Sequence, residues 1–305
     1  MRMSQNIESW LQKVNPYTNV YGLGRTLIAL GSIIALLFND INHLFKPTSE
    51  FPNYPQCSVS YSIFCLSEFN DAQLNAICWI CIVILIVIAS GWRPRITGFL
   101  HVWITFSIFH SASIVDGGEQ VAMVFALILL PMTLMDKRKW HWQNPPQTVS
   151  DTSKIIGITS YYAFRVQVAI LYFHSVVAKI GQENWIDGTA VWYYMQSPML
   201  GLNEIIFNLS KPILGSWLVI IPTWGTLLLQ MVLVLALFLD KKYWKKLFVL
   251  AILMHEIFAV LLGLISFSTI MVGVLLIYLG PLNNTFKLER VKKVFKKEKM
   301  TVELN

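Results

Sequence analysis

Residues 217–239, WLVIIPTWGTLLLQMVLVLALFL, contain no charged side chain, and seven other stretches of the chain come close to matching them. Runs of about 17–25 apolar residues are long enough to cross roughly 30 Å of hydrocarbon. Every backbone polar group inside that slab must be bonded internally, and runs of this length exceed a barrel strand, so they must be helices. Composition agrees. Of 305 residues, 55% are hydrophobic and 13% charged, and the mean hydropathy is +0.55, too apolar for a soluble surface. The expected fold is all-α: a polytopic integral membrane bundle with the lipid bilayer as its main partner.

The apolar runs place spans near 20–38, 74–91, 96–115, 120–135, 156–179, 217–239, 247–264 and 266–282. The last two are nearly continuous and need a tight hairpin around Gly263 to Ser266. Charge sets the count. Basic residues gather at Arg2 and Lys13, Arg93 and Arg95, Lys137–Lys154, Lys241–Lys246, and from Lys287 onward. The alternate loops hold only Lys46 and Lys211, while Arg25, Arg165 and Lys179 fall within spans. The positive-inside rule then puts both chain ends in the cytoplasm of a multi-pass plasma-membrane protein, which requires an even number of spans, about eight. The chain divides into an N-terminal cytoplasmic segment (1–19), a transmembrane domain (20–282) and a basic cytoplasmic tail (283–305). The tail suits anionic headgroups rather than nucleic acid. Between 180 and 216, WIDGTAVWYYMQSP has the Trp and Tyr of short interfacial helices.

Ionisable residues inside spans are costly and tend to face protein. On the fifth span Arg165, Tyr172 and Lys179 recur every seven residues along one stripe, while Gln167 and His174 mark a nearly opposite one. Two polar stripes predict a helix surrounded by protein. Lys179 lies near the outer surface, as do Asp116 and Glu119 of DGGEQ, whose glycines permit a tight turn. Two readings remain open there: a lysine snorkelling to headgroups beside a plain turn, or a shared vestibule including Trp185 and Asp187. Deeper in the seventh span, His255 and Glu256 are adjacent, and Arg25 is the expected partner of Glu256, as a structural ion pair or a proton-handling group. His101, His110 and His174 lack metal-ligand spacing, so no metal site is expected.

Cys57 and Cys65 share an outer loop and are candidates for a disulfide. Cys78 and Cys81 form a C-x-x-C inside the second span. They suit apolar packing, with a quinone-linked thiol–disulfide relay as the minor alternative.

The segments NPYTNVYGLGRTLIAL, SGWRPRITGFLH, DGGEQV, DKRKWHW, YFHSVVAKIGQENWIDGTAVWYY and PTWGTLLLQ together resemble the SdpB family of bacterial membrane proteins, from about residue 6 to 285. YFHSVVAKIGQENWIDG is more distantly similar to the transmembrane domain of vitamin K-dependent γ-carboxylase and its bacterial HTTM relatives. That likeness implies an HTTM-like fold, with Lys179 as a base and Trp185 and Gly188 in the same motif. It also implies a quinone or menaquinol cofactor, although the residues themselves name none. The SdpB resemblance implies maturation of a secreted antimicrobial peptide toxin from its precursor, together with an SdpA-type companion. No protease signature such as G-x-S-x-G or H-E-x-x-H is present. Three activities follow as alternatives: a maturation factor with an outer vestibule around Lys179, a quinol-dependent carboxylase-like enzyme, or an export conduit coupled through Arg25, His255 and Glu256.

Overall fold

The computed structural model describes residues 9–283 and 285, apart from 46, 48–51, 53, 58, 68–69, 114–115 and 198–200. The first eight residues and nearly all of the basic tail expected at 283–305 lie outside the described residues. Eight long helices occupy the eight expected segments: α1 (Asn19–Phe38), α2 (Asp71–Ala89), α3 (Pro94–Ser111), α4 (Gly118–Met135), α5 (Asp151–Ile180), α6 (Ile220–Leu235), α7 (Lys241–Leu262) and α8 (Ile265–Tyr278). Among the described residues there is no strand. Five of the helices (α1, α2, α4, α5 and α6, the last counted with the 3-10 turn before it) are long and apolar enough to cross a membrane, and the protein is a membrane protein. Short helices Glu183–Ile186, Ala190–Met195 and Glu204–Leu214 fill the segment between α5 and α6.

Local chemistry sets the boundaries. The Thr18 hydroxyl accepts from Tyr21 N to cap α1, and Asn70 and Ser150 cap α2 and α5 in the same way. Pro94 opens α3 where its missing N–H costs nothing. Gly263, at φ 73°, ends α7 in the left-handed region, so the chain turns into α8 after only Leu264. That is the hairpin which splits the continuous apolar run.

α1 stands between two cores. One joins α1, α2 and α3 around Ile33, Leu74, Leu85 and Ile104. The other joins α1 to α4, α5, α6, α7 and α8 around Ile28, Phe125, Phe164, Tyr172 and Val274. The α1–α8 seam is built on small residues: a Cβ added to Gly273 would lie 2.7 Å from Gly24 O, and one added to Gly31 would lie 2.8 Å from Ser266 O. Such contacts let backbones approach where lipid offers no hydrophobic drive for helix association. Cys57 and Cys65 are joined as a disulfide with their Cα atoms 5.7 Å apart, whereas Cys78 and Cys81 are buried free thiols on the α2 core face.

One end of the bundle gathers the basic loops, and DKRKWHW forms a plug there. Arg138 binds Asp136 through Nε (2.9 Å) and Nη2 (2.7 Å), with both side chains buried. Its Nη1 donates to the carbonyls of His141 and Gln143. His141 N donates to Gly91 O, and the Trp142 indole donates to Ser90 O. The Thr26 hydroxyl donates to Ala89 O at 2.7 Å, so its oxygen accepts from His141 Nε2 at 3.1 Å, which leaves His141 neutral with an unpartnered Nδ1. Burial, aided by the charges of Arg25 and Arg138, pushes the His141 imidazole from 6.5 down to about 2. Below pH 6.5 the unfolded chain takes up a proton that the folded chain refuses, so stability rises with pH across that window. Thermal stability in detergent should therefore fall between pH 7.5 and 5, with His141 contributing about 2 kcal/mol of the loss. His141→Gln should flatten the slope, and an unchanged slope would refute the assignment.

Candidate functional site

At the opposite end, α5, α6, α7, α8 and the short helices after α5 enclose a cavity of about 290 Å³. Lys179, in the last turn of α5, lies on its wall, half-buried. Its Nζ donates to Ser175 Oγ at 2.6 Å and to Ser175 O at 3.2 Å, and sits 5.4 Å from the centre of the Trp185 ring. Ser175 passes its own proton to Gln230 Oε1 on α6 at 3.3 Å, so Gln230 keeps its amide NH2 as a donor on the same wall. One helical turn or more deeper, the Tyr172 hydroxyl meets His255 Nε2 at 3.0 Å. Trp185 Nε1 and His255 Nδ1, both on buried residues of the cavity wall, have no protein partner. The i, i+7 spacing of Tyr172 and Lys179 produces this arrangement: both side chains stand on the inward stripe of α5.

Asp116 lines the cavity, but its oxygens serve as a clamp. Oδ2 accepts from Ser266 Oγ (2.6 Å) and Phe267 N, and Oδ1 accepts from Gly118 N, tying the α3–α4 turn to the start of α8. Glu119 is buried beside this turn, off the cavity wall, with neither carboxylate oxygen hydrogen-bonded. Asp187 is exposed and turned away, its Oδ1 accepting from Thr189 N and Oγ1; these bonds hold its carboxyl below the usual carboxylate range. Of the expected vestibule, the structure brings together Lys179, Trp185 and Asp116, and leaves Glu119 and Asp187 outside.

Three sequence expectations are corrected. Arg25 does not meet Glu256. It is fully buried near the opposite end and donates through Nη2 to Thr97 Oγ1 at 2.8 Å, while Glu256 is exposed and accepts from Ser268 Oγ. The reason is helix register: α7 begins at Lys241, so its lysine cluster lies inside the helix and Glu256 sits about 22 Å along it. Second, α5 is not surrounded by protein. His174 is exposed against the edge of Phe173, on a face shared with exposed Val166, Ile170 and Val177. Third, His255, grouped with Arg25 and Glu256 as an export-coupling group, lies on the wall of the Lys179 cavity, far from Arg25 near the opposite end. Arg165 keeps to its own place: its guanidinium stacks 4.3 Å over Trp244 and 5.6 Å from Tyr278, and Nη2 donates to Ala236 O.

Sequence reasoning missed Gln230 and Ser175. The available signal was Gln230 itself, an uncharged polar residue set in the otherwise apolar run TLLLQMVLVL. Among the described residues, no group of three or more His, Cys, Asp or Glu side chains could hold a metal ion.

No protein-family profile and no solved structure matches the chain. Two proteins of Bacillus subtilis (strain 168) do. It is 48% identical to "Uncharacterized protein YitO" over 293 residues, covering 96% of this chain and 94% of that one. It is 31% identical to "Sporulation-delaying protein SdpB" over 299 residues, covering 97% and 92%. Identity at that level along almost the entire length of both chains places this one in the SdpB family.

Proposed function

We propose that this chain is a multispanning factor for the maturation of a secreted peptide toxin, and that the Lys179 cavity is its working site. One observation carries the reading: a lysine ammonium, an indole N–H, a Gln amide and a Tyr–His pair converge on a single cavity, in a chain similar throughout to a sporulation-delaying protein. A lysine that merely snorkelled would have no such company. In this reading all eight long helices cross the bilayer. α7 is less apolar because lysines occupy its first two turns, and α8, 14 residues long, is apolar along its length and largely buried. The basic loops and both chain ends then face the cytoplasm, and the cavity faces the outer side of the plasma membrane. A toxin precursor and an SdpA-type companion would dock over it.

The test is the mass of the peptide that cells release. Cells lacking this chain should accumulate a precursor whose mass differs from the mature toxin, and the difference names the step. Identical peptides at identical levels with and without the chain would overturn the proposal. The γ-carboxylase likeness would place a quinone head in the same cavity, a reading decided by the menaquinone arm of the binding experiment below.

A further inference from the structure

Next to the Lys179 cavity runs an apolar groove of about 380 Å³ between α6 and α7, roofed by Val191, Met195, Leu202, Ile206, Ser210 and Leu214. The two spaces share Val191, Met195, Thr226 and Phe258 in their walls, so they lie side by side with only these side chains between them. The groove follows α7 from Leu261 to Leu250, about 16 Å. Leu250, Leu253 and Ile257 on its wall are each about half exposed, which opens it sideways toward lipid. Together the spaces offer one wet end and one long dry end.

We propose that cavity and groove form one binding site for a single-chain carboxylate amphiphile drawn from the bilayer, its head on Lys179 and its chain between α6 and α7. The inference rests on the Lys179 cavity being the working site, and it assigns that site a ligand class. Charge selects the head. Among the described residues the ion pairs are Arg138–Asp136 and Lys242–Asp240, so the half-buried Lys179 ammonium has only the two neutral oxygens of Ser175. A partly desolvated cation favours an anionic partner. The third Lys179 hydrogen and the Gln230 amide are donors on one small space, with the unpartnered Trp185 Nε1–H buried in its wall, and a carboxylate accepts up to about four hydrogen bonds. Asp116 on the wall already commits both carboxylate oxygens to Ser266 Oγ, Phe267 N and Gly118 N, so it adds no donor for a larger, doubly charged head such as a phosphomonoester. A monocarboxylate fits both constraints. The groove sets the tail: its walls are almost wholly apolar.

Native mass spectrometry of the full chain in detergent micelles tests this, with palmitic acid, hexadecan-1-ol, phosphatidylglycerol and menaquinone as separate probes. Palmitic acid should bind one to one, and hexadecan-1-ol, with the same chain length and no charge, about tenfold more weakly or worse. Lys179→Met should weaken palmitic acid binding by a similar factor. Gly225→Phe should do so too, because a Cβ at Gly225 meets nothing within 4 Å and Gly225 lines the groove, where the ring would take up space. Equal binding of acid and alcohol, stronger binding of phosphatidylglycerol or menaquinone, or no effect of either substitution would overturn the proposal. The two readings fail separately. Toxin lost in Lys179→Ala cells without palmitic acid binding sinks only the ligand class, whereas palmitic acid binding with normal toxin from those cells sinks the maturation site.

Discussion

Cells carrying Lys179→Ala should release about a hundredfold less active toxin, or none, while the protein stays at its normal level in the membrane. Truncating one member of a partly buried charged contact costs roughly 2–5 kcal/mol of binding, and each 1.4 kcal/mol is tenfold. The fold should hardly notice. Lys179 is half-buried in the last turn of α5, and without it Ser175 still bonds Gln230. Lys179→Arg should restore little, since a planar five-donor fork cannot reproduce a point ammonium beside Ser175 and the Trp185 ring. Asp187→Asn, on the outward face of the same loop, is the matched control and should leave the titre unchanged. Growth inhibition of a sensitive lawn, with immunoblotted membranes, reads all three. A normal titre from Lys179→Ala at normal protein level removes the site.

The second large effect concerns the fold. Gly31→Leu should lower stability by about 3 kcal/mol or more and deplete the protein from membranes. Any side chain there meets Ile270 and the carbonyl of Ser266 across the α1–α8 seam, where backbone cannot yield. Gly24 faces Ile277 and Gly273 O in the same way one heptad earlier, so the seam has no slack with which to absorb the insertion. Gly225→Ala, in open space on α6, should be tolerated. Melting of the detergent-solubilised protein, followed by size-exclusion chromatography, separates the two. Equal midpoints would show that the helices are not closely apposed.

Helix positions were readable from sequence because lipid enforces them. An apolar run must be helical and must be long enough, and the break in Leu247 to Leu282 could be placed around Gly263 to Ser266, where a turn residue leaves a helix's length of apolar chain on either side. The facing of each helix was less readable. The Arg165, Tyr172, Lys179 stripe pointed inward as its spacing indicated, yet His174 on the opposite face lies toward lipid, a placement the burial cost of an ionisable ring had argued against. Partner choice was least readable. Arg25 and Glu256 looked complementary only while α7 was thought to begin after its lysines; six more residues of helix carry the glutamate to the other end. Tyr172 with His255, and Ser175 with Gln230, depend on which helices are neighbours, and no single segment encodes that.

The α1–α8 seam also bears on how the chain is made. α1 takes much of its packing surface from α8, with more than two hundred residues translated between them. At about 5–20 residues per second, α1 waits roughly 10–45 s for its mate. During that interval its glycine-lined face has no α8 over it, so nascent chains cut short before Ile265 present an open flank to insertion chaperones and membrane proteases.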